Sequence, residues 1–289
     1  MIIVKLIGGL GNQLFQYALG RSLAYLNKTE LKLDITNFES YEPHSYNLKY
    51  FNILENLTTK KEVGRFKKYK KKNGKIWFLY NRFVADKSKY VQEQRFDFDP
   101  SILDIKADAY LDGYWQTEKY FKEIEDDLRK ELTLKKPLSS YSKSIGDEIS
   151  KTNAVSLHVR RGNLVTNPIY TAFHGFCSPE YYQNAIELIA KRVSSPHFFI
   201  FSDDYEWVVE NFKSLQYPFT CIKNGDDKNY EDLILMSMCK HNIIANSSFS
   251  WWGAWLNPKK NKIVVAPKKW SNAPKNNTKD LLPDGWIII

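Results

Sequence analysis

Cysteine and long apolar segments are scarce in this chain, and both absences restrict what the protein can be. The 289 residues include three cysteines, Cys177, Cys221 and Cys239, which are far apart and form neither a zinc-ligand spacing nor a disulfide framework. No apolar run approaches the length of a membrane span, and residues 1–6 show a strand-like pattern without the basic start of a signal peptide. We therefore expect a globular protein of the reducing cytoplasm.

The excess of basic over acidic residues is concentrated in one part of the chain. Residues 60–75 contain nine basic residues and one acid, which is +8 of the formal net charge of +9. Such a run is typical of a solvated helix face or loop, and it is also suited to an anionic membrane surface or an anionic acceptor. Aromatic residues that would stack on bases are sparse within it, so we expect no nucleic-acid partner.

Apolar segments of strand length alternate with helical patterns along most of the chain. This alternation is typical of parallel sheets covered by helices on both faces. It predicts an α/β fold of two Rossmann-type domains, 1–150 and 151–289, with a cleft between them. The pattern does not assign residues 36–100. Strand patterns occur at residues 2–7, 31–35, 109–114, 154–159, 197–202, 219–223, 243–245 and 263–266.

Two adjacent arginines follow the strand at residues 154–159. The segment reads Leu157-His158-Val159-Arg160-Arg161-Gly162-Asn163. Open α/β sheets bind ligands at the carboxyl ends of their strands, and guanidinium groups match the geometry of phosphate. Alternation sends Arg160 and Arg161 to opposite sides, so at most one points straight into a given pocket unless the chain turns at Gly162. The competing interpretation is that one or both arginines pair with carboxylates.

Two further strand ends carry polar residues. Asp203 and Asp204 could chelate a divalent metal, contact a ribose or base, or cap the next helix with Ser202 or Asp203 as the N-cap. No histidine or further acid follows at ligand spacing, so we predict no metal.

After the strand at 243–245, the helix start Asn246-Ser247-Ser248-Phe249 offers hydroxyl and backbone N–H groups to a phosphate. The tryptophans that follow either pack in the core or line a pocket. Together with the arginines, this helix start could stabilise a departing nucleoside diphosphate without a metal.

A glycine-rich turn, Gly8-Gly9-Leu10-Gly11-Asn12-Gln13, lies between the first strand and the first helix. It imitates a dinucleotide-binding fingerprint, but Leu14 stands at the position of the third glycine, which disfavours NAD. A turn that serves only close helix–strand packing remains open. The favoured interpretation is that Asn12 and Gln13 face a ligand.

In combination, these segments resemble the bacterial α-1,2-fucosyltransferases of glycosyltransferase family 11. The resemblance runs almost from end to end, and it also rests on Gly113-Tyr114-Trp115-Gln116 and on His174-Gly175 before Cys177-Ser178. It implies a GT-B-like fold and the inverting, metal-independent transfer of L-fucose from GDP-β-L-fucose to the 2-hydroxyl of a galactose. It implies no cofactor, a β-galactoside-terminated oligosaccharide as acceptor, and a place in surface-polysaccharide synthesis.

The resemblance also suggests which residues act, with the donor bound mainly by the second half and the acceptor by the first. The expected catalytic residues are Arg160, Asn12, His158 and Asn163. The expected donor-binding residues are Gly11, Gln13, Arg161, Asp203, Asp204, Asn246, Ser247, Ser248 and Phe249. The expected acceptor-binding residues are Asp34, Gln116, His174 and Trp251.

One position departs from the family. Asn163 stands where family members usually have Asp, so the carboxylate that would first be named as the base is missing here. The base stays open among Asp34, His174, Asp203 and Glu231. Other functions also stay open: a non-catalytic module that binds anionic glycan or nucleic acid, another nucleotide-sugar transferase, or a metal-dependent transferase that uses Asp203 and Asp204.

Overall fold

The chain divides into two compact units that each contain a parallel sheet. The computed structural model describes residues 1–39, 44–70, 90–106, 108–162, 171–173, 175–273 and 277–289. Unit 1 comprises Met1–Lys135 with Lys279–Leu281, and unit 2 comprises Lys136–Thr278 with Leu282–Ile289. The division therefore falls before the predicted boundary at 150, and the helix Ser140–Lys151 belongs to unit 2.

Unit 1 is built on a four-stranded parallel sheet of order β2-β1-β4-β3. Short 3-10 helices occur at Thr36–Glu39, Leu48–Tyr50, Pro100–Ile102, Glu118–Tyr120 and Lys122–Ile124. The main elements are β1 (Ile2–Lys5), α1 (Leu10–Leu26), β2 (Leu31–Asp34), α2 (Lys60–Lys70), β3 (Tyr90–Gln92), β4 (Ala109–Asp112) and α3 (Glu125–Glu131).

Two parts of unit 1 differ from the sequence prediction. The sequence pattern over residues 118–132 predicts a single helix, and the structure has two 3-10 turns followed by α3 there. The unassigned region 36–100 contains α2 and β3. The α2 helix carries the described part of the basic stretch, and residues 71–75 lie outside the described residues. In this part Lys60 pairs with Glu39 at 2.7 Å and Lys32 pairs with Glu62 at 2.5 Å.

Unit 2 is built on a six-stranded parallel sheet of order β10-β9-β8-β5-β6-β7. A 3-10 helix lies at Asp226–Lys228. The main elements are α4 (Ser140–Lys151), β5 (Asn153–Val159), α5 (Pro179–Ala190), β6 (Pro196–Ser202), α6 (Tyr205–Phe212), β7 (Phe219–Cys221), α7 (Asn229–Met238), β8 (His241–Ile243), α8 (Ser248–Leu256), β9 (Val264–Ala266) and β10 (Ile287–Ile288).

Side-chain alternation along β5 and β6 places helices on both faces of the unit 2 sheet. Val155, Leu157 and Val159 pack into a core with α5 and α6. Phe199 and Phe201 point the other way and pack with α4 and α7. Both faces of a parallel strand are therefore buried, which is why β5 and β6 appear as nearly continuous apolar runs. The predicted α/β fold with parallel sheets is confirmed.

Across the ranges that the structure describes, no helix is both long and apolar enough to cross a bilayer.

Gly20 lets α1 pack closely on the sheet of unit 1. A Cβ at this position would lie 2.8 Å from Cδ1 of Leu31 and 3.0 Å from Cγ1 of Val4. In α2, by contrast, a Cβ at Gly64 would meet nothing within 4 Å. Alanine substitutions at Gly20 and Gly64 therefore distinguish the effect of close packing from the effect of helix propensity.

We expect Gly20→Ala to lower the melting temperature, because overpacking costs about 1–3 kcal/mol and outweighs the gain in helix propensity. The matched control Gly64→Ala should raise it slightly, since alanine favours an open helix position by about 0.5–1 kcal/mol. Thermal unfolding followed by circular dichroism measures both. Stabilisation by Gly20→Ala would contradict the close approach.

Candidate functional site

The arginines at the end of β5 are held by the carboxylates at the end of β6. Val159 and Ser202 are register partners, so the two strand ends lie side by side. Nη1 of Arg160 forms an ion pair with Oδ2 of Asp203, and the backbone N–H of Arg161 donates to Oδ1 of Asp203 at 2.8 Å. The interpretation that the arginines pair with carboxylates is the one that the structure shows.

Arg161 is fixed on a different partner. Its Nε donates to Oδ2 of Asp204 at 3.2 Å, and its guanidinium lies 4.1 Å from the centre of the Trp207 ring. Oδ1 of Asp204 accepts from the backbone N–H of Trp207 at 3.1 Å and so caps α6. The cap is therefore Asp204, not Ser202 or Asp203 as the sequence suggested. Arg161 has a mainly structural setting as a result.

Glycine is required directly after the arginines. A Cβ at Gly162 would collide with the carboxylate of Asp203. Each oxygen of Asp203 accepts one bond from the end of β5, so this carboxylate orders the arginine segment. Asn163 lies outside the described residues.

His158 is a buried histidine of β5, two residues before Arg160. It is 5 % exposed, and its Nδ1 has no hydrogen-bond partner among the described residues. Burial lowers the pKa of His158 to about 4, while Asp203 acts to raise it and Arg160 to lower it further. The imidazole is therefore neutral near pH 7, and its Nδ1 is a buried nitrogen without a partner among the described residues.

The serine-rich helix start lies close to this histidine. The ring of Phe249 is 5.6 Å from that of His158, measured between centroids. Ser247 caps α8, because its Oγ accepts from the backbone N–H of Phe249 at 3.3 Å. Ser247, Ser248 and Phe249 are half-buried, so the structure brings this part of the expected donor site together with the end of β5.

Two expected binding residues of unit 2 have structural settings instead. Trp251 has no exposed surface and packs against Trp252, Trp255 and Trp286, so it cannot contact an acceptor. Asn246 donates to the carbonyls of Gly175 and Trp270 at 3.3 and 3.2 Å, which spends both amide protons on the backbone. His174 lies outside the described residues.

In unit 1, the glycine turn presents Asn12 but buries Gln13. Gly8 adopts a left-handed conformation with φ +74°, and a Cβ there would lie 2.8 Å from Nδ2 of Asn12. Gln13 has no exposed surface: it donates to the carbonyls of Gly8 and Ser45 and accepts from the N–H of Asn47. Gln13 therefore connects loops and does not face a ligand.

The other expected residues of unit 1 divide in the same way. Gln116 is half-buried and its Nε2 donates to Oδ1 of Asn12 at 2.8 Å, so these two expected residues do come together. Gly11 is buried in the first turn of α1. Asp34 is 1 % exposed and accepts from Tyr110 and Thr36, which excludes contact with an acceptor.

The same contacts reduce the set of base candidates. Asp34 is buried and bonded, and Asp203 is paired with the arginines. Glu231 is also buried, and it accepts from the backbone N–H and the hydroxyl of Ser139 at 3.0 and 2.6 Å. Burial therefore disfavours Asp34 and Glu231 as the general base, whereas Asp203 is exposed and is engaged by Arg160 and by the backbone N–H of Arg161.

Sequence reasoning missed Glu93 and Trp207. Trp207 lies three residues after Asp204, which is the spacing of a helix cap and is recognisable in retrospect. Glu93 lies in no motif, because its partners are the backbone N–H groups of Tyr114 and Trp115, at 2.7 and 2.9 Å. A hydrogen bond from a side chain to backbone N–H groups 21 and 22 residues away cannot be recognised from the pattern of residue types.

Comparison with known proteins gives matches over the whole chain. The family model described as Glycosyl transferase family 11 matches residues 1–289. An alpha-1,2-colitosyltransferase from Escherichia coli is 34% identical, with 100% of this chain and 99% of that protein covered. The Escherichia coli O-antigen biosynthesis glycosyltransferase WbnK is 35% identical, with coverage of 98% and 99%.

A solved structure is similar in fold. A variant of Arabidopsis thaliana FUT1 in complex with GDP superposes with a TM-score of 0.57 at 12% identity, covering 97% of this chain and 76% of that one. At this identity the likeness concerns the fold alone. It confirms the expected GT-B-like class.

We expect His158 to titrate far below an ordinary histidine, with a midpoint near pH 4, because burial disfavours its charged form. NMR titration of histidine-labelled protein measures this, with the His158→Asn variant assigning the resonance. A midpoint near 6.5 would show that the imidazole is solvated.

Proposed function

The chain belongs to glycosyltransferase family 11, and on that premise we propose that it transfers L-fucose from GDP-β-L-fucose to the 2-hydroxyl of a galactose in a glycan. One observation carries the donor side of this proposal. Arg160, the neutral His158 and the capped start of α8 occur together at the carboxyl edge of the unit 2 sheet. That edge is where parallel α/β sheets bind nucleotides.

The transfer makes one bond and breaks another. The 2-hydroxyl oxygen of galactose attacks C1 of fucose from the face opposite the diphosphate, and the C1–O bond breaks with its electron pair going to GDP. The hydroxyl proton must pass to a base. The protein's task is to neutralise the charge that develops on the departing diphosphate, which preorganised cationic and N–H groups do effectively.

Arg160 can bind phosphate while it stays paired with Asp203. A guanidinium has five N–H donors in a fixed plane, and the pair with Asp203 uses Nη1. The remaining donors are held in one orientation by that pair. We assign Arg160 to the leaving diphosphate, and we assign His158 to a phosphate or ribose oxygen.

The acceptor side of the proposal rests on Asn12 and Gln116. Their side-chain amides contact each other at 2.8 Å at the glycine turn, and both are half-buried. Amide groups are suited to hydrogen bonds with sugar hydroxyls. Asp34, Gln13 and Trp251 are not part of this assignment, because each is buried and engaged.

A second donor is favoured by one comparison. The relative named an alpha-1,2-colitosyltransferase is 34% identical over the whole chain. Colitose is L-fucose without its 3-hydroxyl, so the donor GDP-colitose differs by one hydrogen-bonding group. A site that binds the 3-hydroxyl would reject colitose strongly, whereas an apolar site would discriminate weakly.

The test is an assay of GDP release with each donor against a panel of β-galactosides that includes lactose. We expect galactoside-dependent release from GDP-fucose above that from GDP-colitose, and NMR of the product should show an α-1,2 linkage. Preference for GDP-colitose would support the second donor. Binding of GDP-sugars without turnover would instead support a non-catalytic module.

We also propose that no metal takes part, since the oriented N–H donors of Arg160 and of the start of α8 are assigned to the diphosphate. Turnover in EDTA should equal turnover in added Mg²⁺. Loss of activity in EDTA with recovery in Mg²⁺ would favour a metal-dependent transferase instead.

Arg160→Ala should reduce turnover by at least about 100-fold, as loss of a group that stabilises developing charge does. The control Lys213→Ala removes a surface cation that pairs with Glu210, and it should retain full activity. Turnover is measured as GDP release, with a thermal melt to check folding. Near-normal turnover by a folded Arg160→Ala variant would remove Arg160 from the leaving-group role.

We further propose a cytoplasmic location and contact of residues 60–75 with an anionic membrane surface. Vesicles with anionic lipid test the last. Binding that persists after neutralisation of these lysines would contradict it.

A further inference from the structure

We infer that Glu93 is a positioning residue that sets the orientation of Asn12 through the turn Gly113–Gln116; this inference rests on the proposed function of unit 1. The carboxylate of Glu93 accepts two consecutive backbone N–H groups, Tyr114 at 2.7 Å and Trp115 at 2.9 Å. These bonds use both of its oxygens. Glu93 therefore binds the turn and does not itself touch a sugar.

The turn that Glu93 holds is strained. Trp115 has φ +58°, a left-handed conformation that residues other than glycine rarely adopt, although its side chain is buried. Such a conformation persists only when its surroundings impose it. The two N–H bonds to Glu93 are the direct means of imposing it.

Close contacts at Gly113 also restrict the conformation of the turn. A Cβ at Gly113 would collide with Glu93 and would lie 2.8 Å from Cε2 of Trp115. On the other side, Nε2 of Gln16 in α1 donates to the carbonyl of Gly113 at 3.0 Å. The turn is therefore bonded to Glu93, which directly follows β3, on one side and to Gln16 of α1 on the other.

The held turn determines where Gln116 points. Gln116 directly follows the left-handed residue, and its Nε2 donates to Oδ1 of Asn12. This bond directs the oxygen of the Asn12 amide toward Gln116 and so sets the direction of the Asn12 N–H₂ donors. Glu93 therefore controls a donor of the sugar-binding turn without contacting the sugar.

Burial and hydrogen bonding act in opposite directions on the charge of Glu93. Burial raises the pKa of Glu93 from its ordinary value, and its bonds to the two backbone N–H groups oppose that shift. A buried carboxylate is costly unless it is hydrogen-bonded, and the N–H groups of Tyr114 and Trp115 supply those bonds.

The experiment uses Glu93→Gln, Gln116→Ala and the double variant, with Glu123→Gln as control. Glutamine replaces one acceptor oxygen by an N–H₂ donor, which opposes one of the two backbone N–H groups. Glu123 is an exposed glutamate of the same unit, so its replacement should leave the turn and Asn12 unchanged. Thermal melts confirm that each variant is folded.

We expect Glu93→Gln to lower kcat/KM for the best galactoside of the panel about tenfold, with GDP affinity unchanged. The double variant should be no worse than Gln116→Ala, because Glu93 acts through Gln116. Additive losses in the double variant, or unchanged kcat/KM in Glu93→Gln, would overturn the inference.

A second readout does not depend on turnover. In NMR spectra, the side-chain amide of Asn12 should move in Glu93→Gln as it does in Gln116→Ala, and should not move in Glu123→Gln. An unmoved Asn12 amide would overturn the inference even if the protein transfers no fucose. Absence of transfer with a moved amide would instead count against the proposed function alone.

Discussion

The pairing of Asp203 with the end of β5 is the interaction on which the unit 2 site depends. One carboxylate binds the guanidinium of Arg160 and the backbone N–H of Arg161, and it occupies the space that a side chain at Gly162 would need. Asp204 then binds Arg161 and caps the next helix. Without these carboxylates, the two neighbouring guanidinium groups would lack partners of opposite charge at the end of β5. The aspartates keep the arginines in place before any diphosphate binds.

Preorganisation of this kind has a consequence for catalysis. With two arginines and two aspartates, the strand ends carry no net charge, so the site does not attract anions by bulk charge. It offers instead an oriented guanidinium, a neutral imidazole and the start of a helix. Oriented groups lower the cost of charge development more than a mobile excess of charge does, because they need no reorganisation when the bond breaks. Asn12, Gln116 and Glu93 show the same principle in unit 1, where a strained turn fixes an amide.

The fold was largely predictable from the sequence, because buried parallel strands give continuous apolar runs. Val155, Leu157 and Val159, for example, mark β5 without ambiguity. The strand β3 was not predictable, because Tyr90–Gln92 is short and lacks an apolar run. The sequence predicted which strand ends form the site. It did not predict which side chains at those strand ends are engaged by the protein itself. Gln13, Asp34 and Asn246 are polar residues in motifs, yet each forms its hydrogen bonds within the protein. The type of a residue does not show which partner its side chain will bind.

The proposed mechanism requires that the diphosphate of the donor binds where Arg160, His158 and the start of α8 occur together. A crystal structure of the protein with GDP tests this requirement most directly. We expect a phosphate oxygen within hydrogen-bond distance of the Arg160 guanidinium, with the pair between Arg160 and Asp203 retained. GDP bound elsewhere on the protein, with His158 and Arg160 making no contact to it, would contradict this mechanism.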